Sequence, residues 1–132
     1  MGEPGISIAG IALAENKLFI ARRKPGGDLG EKWEFPGGKV EEGENEEAAL
    51  IREFREELEV TVQVGPLLGA VSFEHRGKPR LLRAYRVEFS IPHLTLVEHT
   101  AWKWASPEEI ADLDFADSDL KLLPALQAYL QG

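Results

Sequence analysis

Cysteine is absent from all 132 residues, which excludes disulfide scaffolds, thiolate metal sites and a cysteine nucleophile. A basic excess is lacking too: 15 Lys and Arg face 23 Asp and Glu, a formal net charge of −8. A sequence-independent binder of DNA or RNA needs a basic footprint, so a nucleic-acid polymer is not an expected partner. A small phosphate-bearing molecule stays open, because carboxylates that hold divalent cations reverse the local sign. No apolar run approaches the roughly 20 residues that cross a bilayer, so no membrane partner is expected. The start, Met1-Gly2-Glu3-Pro4-Gly5-Ile6, has no basic region before an apolar run, and Ile6 stands where a myristoylation motif at Gly2 wants Ser or Thr. The expectation is a cytoplasmic protein.

What is present suffices for a core. Apolar residues make up 43%, with 3 Trp, 6 Phe and 2 Tyr, which rules out global disorder. The length fits one domain, residues 1–132. The charge is local. Residues 41–60 hold nine glutamates against Arg52 and Arg55, a net of −7, while the other 112 residues carry 14 acidic and 13 basic groups, a net of −1.

The pattern along the chain is mixed α/β. Ile6 to Ala14 alternates and turns at Glu15-Asn16 into Lys17 to Arg22, a hairpin. A loop with Pro25, Gly26, Gly27 and Gly30 follows. A helix from about Asn45 to Leu58 has Asn45 as N-cap and Glu46 and Glu47 at its positive end. Val60 to Val64, Leu67 to Glu74, Arg80 to Phe89 and Thr100 to Ala105 read as strands, the middle two joined around Arg76-Gly77-Lys78-Pro79. Ser106 caps a short turn with Pro107 at its first position. A last amphipathic helix is expected from about Ser118 to Leu130. One sheet with helices packed on it is the natural architecture.

On a helical wheel Leu50, Ile51, Phe54 and Leu58 form one stripe, and Glu53, Glu56 and Glu57 cluster beside it. Three carboxylates within about one turn repel one another, and Arg52, four residues before Glu56, offsets only part of this. Most charge runs are solvated faces. Here, however, Gly37-Gly38 allows a sharp backbone turn just ahead, Lys39 adds a positive charge, and hard cations such as Mg²⁺ take carboxylate and phosphate oxygens.

The spacing is specific: Gly38, five residues, Glu44, seven residues, Arg52-Glu53-Phe54, one residue, Glu56-Glu57, one residue, Glu59-Val60. This resembles the Nudix box, with Glu59 in place of that motif's late glycine. A positive φ at Glu59 would be strained. Trp33-Glu34-Phe35-Pro36-Gly37-Gly38-Lys39-Val40, Glu98-His99 and Ser106-Pro107-Glu108-Glu109 are similar to the MutT branch, the nucleoside triphosphate pyrophosphohydrolases.

The resemblance implies a Nudix-type α/β/α sandwich, a mixed sheet with packed helices. It also implies hydrolysis of nucleoside triphosphates to monophosphate and pyrophosphate with Mg²⁺, or Mn²⁺ as the alternative cation. Oxidised or modified substrates such as 8-oxo-dGTP are common in that branch. It makes Glu53, Glu56, Glu57 and the Gly37 carbonyl metal ligands, Arg52 the organiser of the glutamates, Glu44 a support of the loop–helix corner, and Glu53 or Glu98 the acceptor of the water's proton. Arg23, Glu34, Phe35, Pro36, Gly37, Gly38, Lys39 and Asp119 would contact the nucleotide, Phe35 either against the base or in the core. The guanine-specific prototype has Asn at the place of Asp119. An ionised Asp only accepts hydrogen bonds, so a cytosine-type base is the alternative. A dinucleoside polyphosphate, nucleotide sugar or ADP-ribose, or simple nucleotide binding without turnover, rank behind. His75, His93 and His99 have no metal-ligand spacing, and His99 reads as a polar loop residue. Monomer and homodimer stay open.

Overall fold

The computed structural model describes residues 5–131; Gly2, with its myristoylation question, lies outside them. In chain order the elements are β1 (Gly5–Ile11), β2 (Leu13–Ala14), β3 (Lys17–Arg23), β4 (Trp33–Glu34), β5 (Gly37–Lys39), α1 (Glu46–Leu58), β6 (Gln63–His75), β7 (Lys78–Glu88), β8 (His99–Ala105), α2 (Pro107–Ala111), α3 (Asp117–Leu120) and α4 (Leu123–Gln131). Two-residue turns set the hairpin registers. Glu15 and Asn16 (φ 52° and 65°) pair Ala14 with Lys17, and Arg76 and Gly77 (φ 55° and 78°) pair His75 with Lys78. Positive φ at both central residues matches the right-handed strand twist.

One sheet runs β5-β1-β7-β6, with β1 and β7 parallel and the other pairs antiparallel. In the other, β3 pairs with β2, β4 and β8, all antiparallel. Alternation along the strands divides the core in two. Ile8, Phe19 and Ala21 meet Leu50, Phe54 and Leu58 of α1. Ala9, Ile11, Leu18 and Ile20 meet Ile110, Leu122 and Leu126 on the opposite face. Each fully buried Leu or Phe contributes roughly 1.5–3 kcal/mol relative to exposure. The α/β/α sandwich with a mixed sheet is therefore present.

Helix α1 begins as the sequence predicts: the Asn45 side chain accepts from Ala48 N at 2.7 Å. Several local expectations differ. The single sheet expected is two, and the strand expected from Ile6 to Ala14 is divided between them: β1 pairs with β5 and β7, and only Leu13 and Ala14 form the hairpin with β3. Val60 and Val62 are not strand residues but buried connections in the α1 core, and β6 runs unbroken from Gln63 to His75 with irregular pairing near Leu67. Ile51 is only half-buried, whereas Glu57 lies on the buried side. The last helix is two pieces, because Pro124 lacks an N–H and its ring opposes the carbonyl of residue 120. Lys121 N and Leu122 N instead bond back three residues, to Ser118 and Asp119.

Candidate active site

Strand pairing assembles the site. Glu34 on β4 lies opposite Ala21 on β3, and Arg23, two residues on and so on the same face, lies opposite His99 on β8 after a shift at Arg22/Arg23. Helix α1 covers this face and brings Glu57 with it. His99 Nε2 is 2.8 Å from Glu34 Oε2 and 3.8 Å from Glu57 Oε1. Arg23 Nη1 donates to the same Glu34 oxygen at 3.3 Å. His99, Glu34 and Glu57 are all buried, and one ligand-type atom from each falls within 4.8 Å of the others. His99 is thus a buried strand residue, not a polar loop residue.

The three box glutamates differ in environment: the side chains of Glu57, Glu53 and Glu56 are 2%, 15% and 58% exposed. Burial pushes the Glu57 carboxyl well above the usual carboxylate range, reinforced by a hydrogen bond with Glu53 and the charges of Glu34, Glu53 and Glu98. Arg52 ties the outer acids together. It donates to Glu44 at 2.7 and 3.0 Å, to Glu53 at 2.6 Å, to Glu56 at 3.2 Å and to the Lys39 carbonyl at 3.0 Å. Its guanidinium, with the Glu41 N–H, holds the Glu44 carboxyl down at about 2.

The turn beneath the helix has no room for side chains. A Cβ on Gly37, whose φ is 155°, would collide with the Ile8 carbonyl, and one on Gly38 would sit 2.6 Å from the Glu53 carboxylate. Glu59, in the position of the motif's glycine, does take a left-handed conformation (φ 55°) as the C-cap of α1, its N–H donating to the Arg55 carbonyl. Beyond it, Thr95 N and Val97 N bond to the Leu58 and Glu57 carbonyls at 2.9 and 3.0 Å, which leads the chain to exposed Glu98 and buried His99.

A cavity of about 430 Å³ opens beside this cluster. Glu34, Phe35, Gly37, Gly38, Lys39 and Asp119, all expected to contact substrate, line it; Arg23 and Pro36 do not. Pro36 is buried and its carbonyl accepts from Gly10 N at 2.9 Å, while Arg23 faces Glu34. Phe35 is 2% exposed and packs edge-on against Phe115 at 5.2 Å, so it serves both core and cavity wall. Trp33 bonds to Asp114 and Ala116, and the chain then delivers Asp119, whose Oδ2 accepts from Phe35 N at 2.9 Å. Burial, then the charge of Glu34, raises the Asp119 carboxyl to about 7 against the pull of Phe35 N–H and Ser118. Ser7, Phe73, Arg80 and Leu82 also line the cavity, with Arg80 donating to Ser7 Oγ at 3.0 Å. They come from strands whose alternation alone does not mark them. His99 had one sequence signal, its place beside Glu98.

The donor set suits a hard divalent cation. Glu57 Oε1 is buried without a hydrogen-bond partner among the described residues, an arrangement that is costly unless a positive group completes it. Carboxylate and carbonyl oxygens are what Mg²⁺ and Mn²⁺ take.

A sequence profile of the NUDIX domain matches residues 3–126. The CTP pyrophosphohydrolase of Escherichia coli (strain K12) is 37% identical over 121 residues, 92% of this chain and 90% of that protein. The putative 8-oxo-dGTP diphosphatase 2 of Mycobacterium tuberculosis (strain ATCC 25618 / H37Rv) is 35% identical over 130 residues, 96% of this chain and 91% of that one. Among solved structures, the solution structure of the E. coli ORF135 protein superposes with a TM-score of 0.84 at 36% identity, covering 96% of this chain and 90% of that one. With its sandwich, its glutamate helix and these relatives matched over nearly their whole length, the chain belongs to the Nudix family and is a Nudix hydrolase.

Proposed function

We propose that this hydrolase cleaves nucleoside triphosphates to monophosphate and pyrophosphate, with Mg²⁺ or Mn²⁺ held by Glu53, Glu56, Glu57 and the Gly37 carbonyl. The observation that carries the reading is the buried Glu57 Oε1, without a hydrogen-bond partner among the described residues, near a cavity lined by Glu34 and Asp119. A bound divalent cation there would offset phosphate charge and make the attacking water more acidic. The chain's residues do the rest. Arg52 keeps Glu53 and Glu56 on one side of α1 despite their repulsion. Gly37 and Gly38 bring the backbone close enough for the Gly37 carbonyl to take part, and Lys39 faces the phosphates. Arg23 steadies Glu34 at the nucleotide's edge.

For the water's proton, Glu53 and Glu98 are the two acceptors. Glu53 already spends one oxygen on Arg52 at 2.6 Å, which leaves it less free to receive the water's proton. Exposed Glu98 is therefore our assignment. Replacing Glu98 by Gln is expected to lower kcat at least about tenfold with KM little changed; an unchanged kcat would return the role to Glu53.

The favoured substrates are oxidised or modified nucleoside triphosphates, of which 8-oxo-dGTP is the type. A cytosine-type triphosphate is the second reading. It is supported by Asp119, whose ionised form accepts from an exocyclic amino group, and by the name of the E. coli CTP pyrophosphohydrolase relative. A Mg²⁺-dependent screen of canonical and oxidised triphosphates, with products identified, tests the proposal. Release of pyrophosphate from at least one of them is expected, and no turnover of any would refute it. The cytoplasm, as the compartment of nucleotide pools, is the proposed location. Among the described residues no helix is long and apolar enough to cross a membrane.

A further inference from the structure

His99 has no part in the chemistry above, yet it is the most enclosed polar group of the site, with its side chain fully covered. A carboxylate only accepts, so the 2.8 Å contact with Glu34 Oε2 places the hydrogen on Nε2. The same N–H leans toward Glu57 Oε1 at 3.8 Å. The other ring nitrogen, Nδ1, is buried with no partner among the described residues. That unmet atom is a desolvation cost which an apolar side chain in the same place would avoid. Packing therefore does not explain an imidazole here.

Its neighbours do. Glu34 and Glu57 approach each other in a buried setting, and His99 Nε2 lies 2.8 Å from an oxygen of the first and 3.8 Å from an oxygen of the second. Arg23 restrains Glu34 only from the half-exposed side, at 3.3 Å. We propose that His99 is a positioning residue: its Nε2–H pins Glu34 and separates it from Glu57, so that the Glu57 carboxylate is presented ready for a divalent cation. Outer groups that orient a ligating carboxylate typically change metal affinity by about 10–100-fold when removed. The inference rests on the reading of Glu57 as a cation ligand.

The test is calorimetric titration of MnCl₂ into resting protein without nucleotide, alongside thermal unfolding of the metal-free protein. His99→Leu removes the donor, His99→Gln keeps an amide N–H at similar reach, and Glu57→Gln is the reference. The expected result is at least about tenfold weaker Mn²⁺ binding in His99→Leu, with cooperative unfolding retained, and recovery to within about threefold in His99→Gln. Parent-like affinity in His99→Leu overturns the inference. So does an equal loss of affinity in both variants accompanied by lower unfolding temperatures, which marks a merely structural role. If Glu57→Gln binds Mn²⁺ like the parent, the cation-site reading itself fails. If Glu57→Gln loses binding while His99→Leu keeps it, only the role of His99 fails.

Discussion

Asp119 is a charged side chain at the start of a helix, a place that normally meets solvent, yet it is buried and its carboxyl is raised to about 7. A carboxyl whose folded value exceeds its unfolded one costs stability as pH rises from the ordinary aspartate range through about 7. Asp119→Asn is therefore expected to raise the unfolding temperature at pH 8 and to change it little at pH 4, which differential scanning calorimetry at the two values reads out. The same titration bears on the base. Above about 7 the ionised carboxylate accepts from an amino group; below it the acid can donate to a carbonyl. The ratio of kcat/KM for a cytosine-type over an oxopurine triphosphate should climb with pH across that value, and be flat in Asp119→Asn. Glu57 follows the same sign, its carboxyl being raised by burial and by hydrogen bonding with Glu53. Mn²⁺ takes the ionised form, so its affinity is expected to fall as pH is lowered, which calorimetric titration at several pH values reads out.

Helix α1 carries its own compromise. Its C-cap, Glu59, adopts φ 55°, where a side chain is crowded and glycine is not. Glu59→Gly should stabilise the protein by about 1 kcal/mol, a rise of roughly 4 °C in unfolding temperature, without changing turnover. An unchanged or lower temperature would mean that the left-handed turn is not strained. At the other side of the helix, Arg52 holds Glu44 at about 2, so this clasp contributes above the ordinary glutamate range and is lost only as pH falls toward 2. Arg52→Ala should leave the helix folded at neutral pH yet weaken Mn²⁺ binding. Glu53 and Glu56 would then repel each other without a common partner.

For the whole molecule, local rules in the sequence carry much of the fold. The Asn45 cap, the Leu50-Phe54-Leu58 stripe, the Glu15-Asn16 turn and the glutamate spacing each depend on residues a few positions apart, and each appears in the structure. What the sequence hides are features made by distant pairing. His99 meets Glu34 only because β3 lies between β8 and β4 and shifts register at Arg22/Arg23. Ser7, Phe73 and Arg80 meet at the cavity only after β1, β6 and β7 align. The break before α4 is a different case: Pro124 signals it, but amphipathic periodicity reads through it. Likewise Val60 and Val62 have strand chemistry but are drawn under α1 by the core. The acidic stretch that sets the net charge of −8 thus becomes, once folded, a set of glutamates of graded burial along α1, from covered Glu57 to exposed Glu56. The most direct test compares the parent and Glu57→Gln, with equal folded content by circular dichroism, on a triphosphate substrate with and without Mg²⁺. The account predicts monophosphate and pyrophosphate from the parent with Mg²⁺ only, and a loss of at least about a thousandfold in Glu57→Gln. Diphosphate and inorganic phosphate as products, or parent-like turnover in Glu57→Gln, would contradict it.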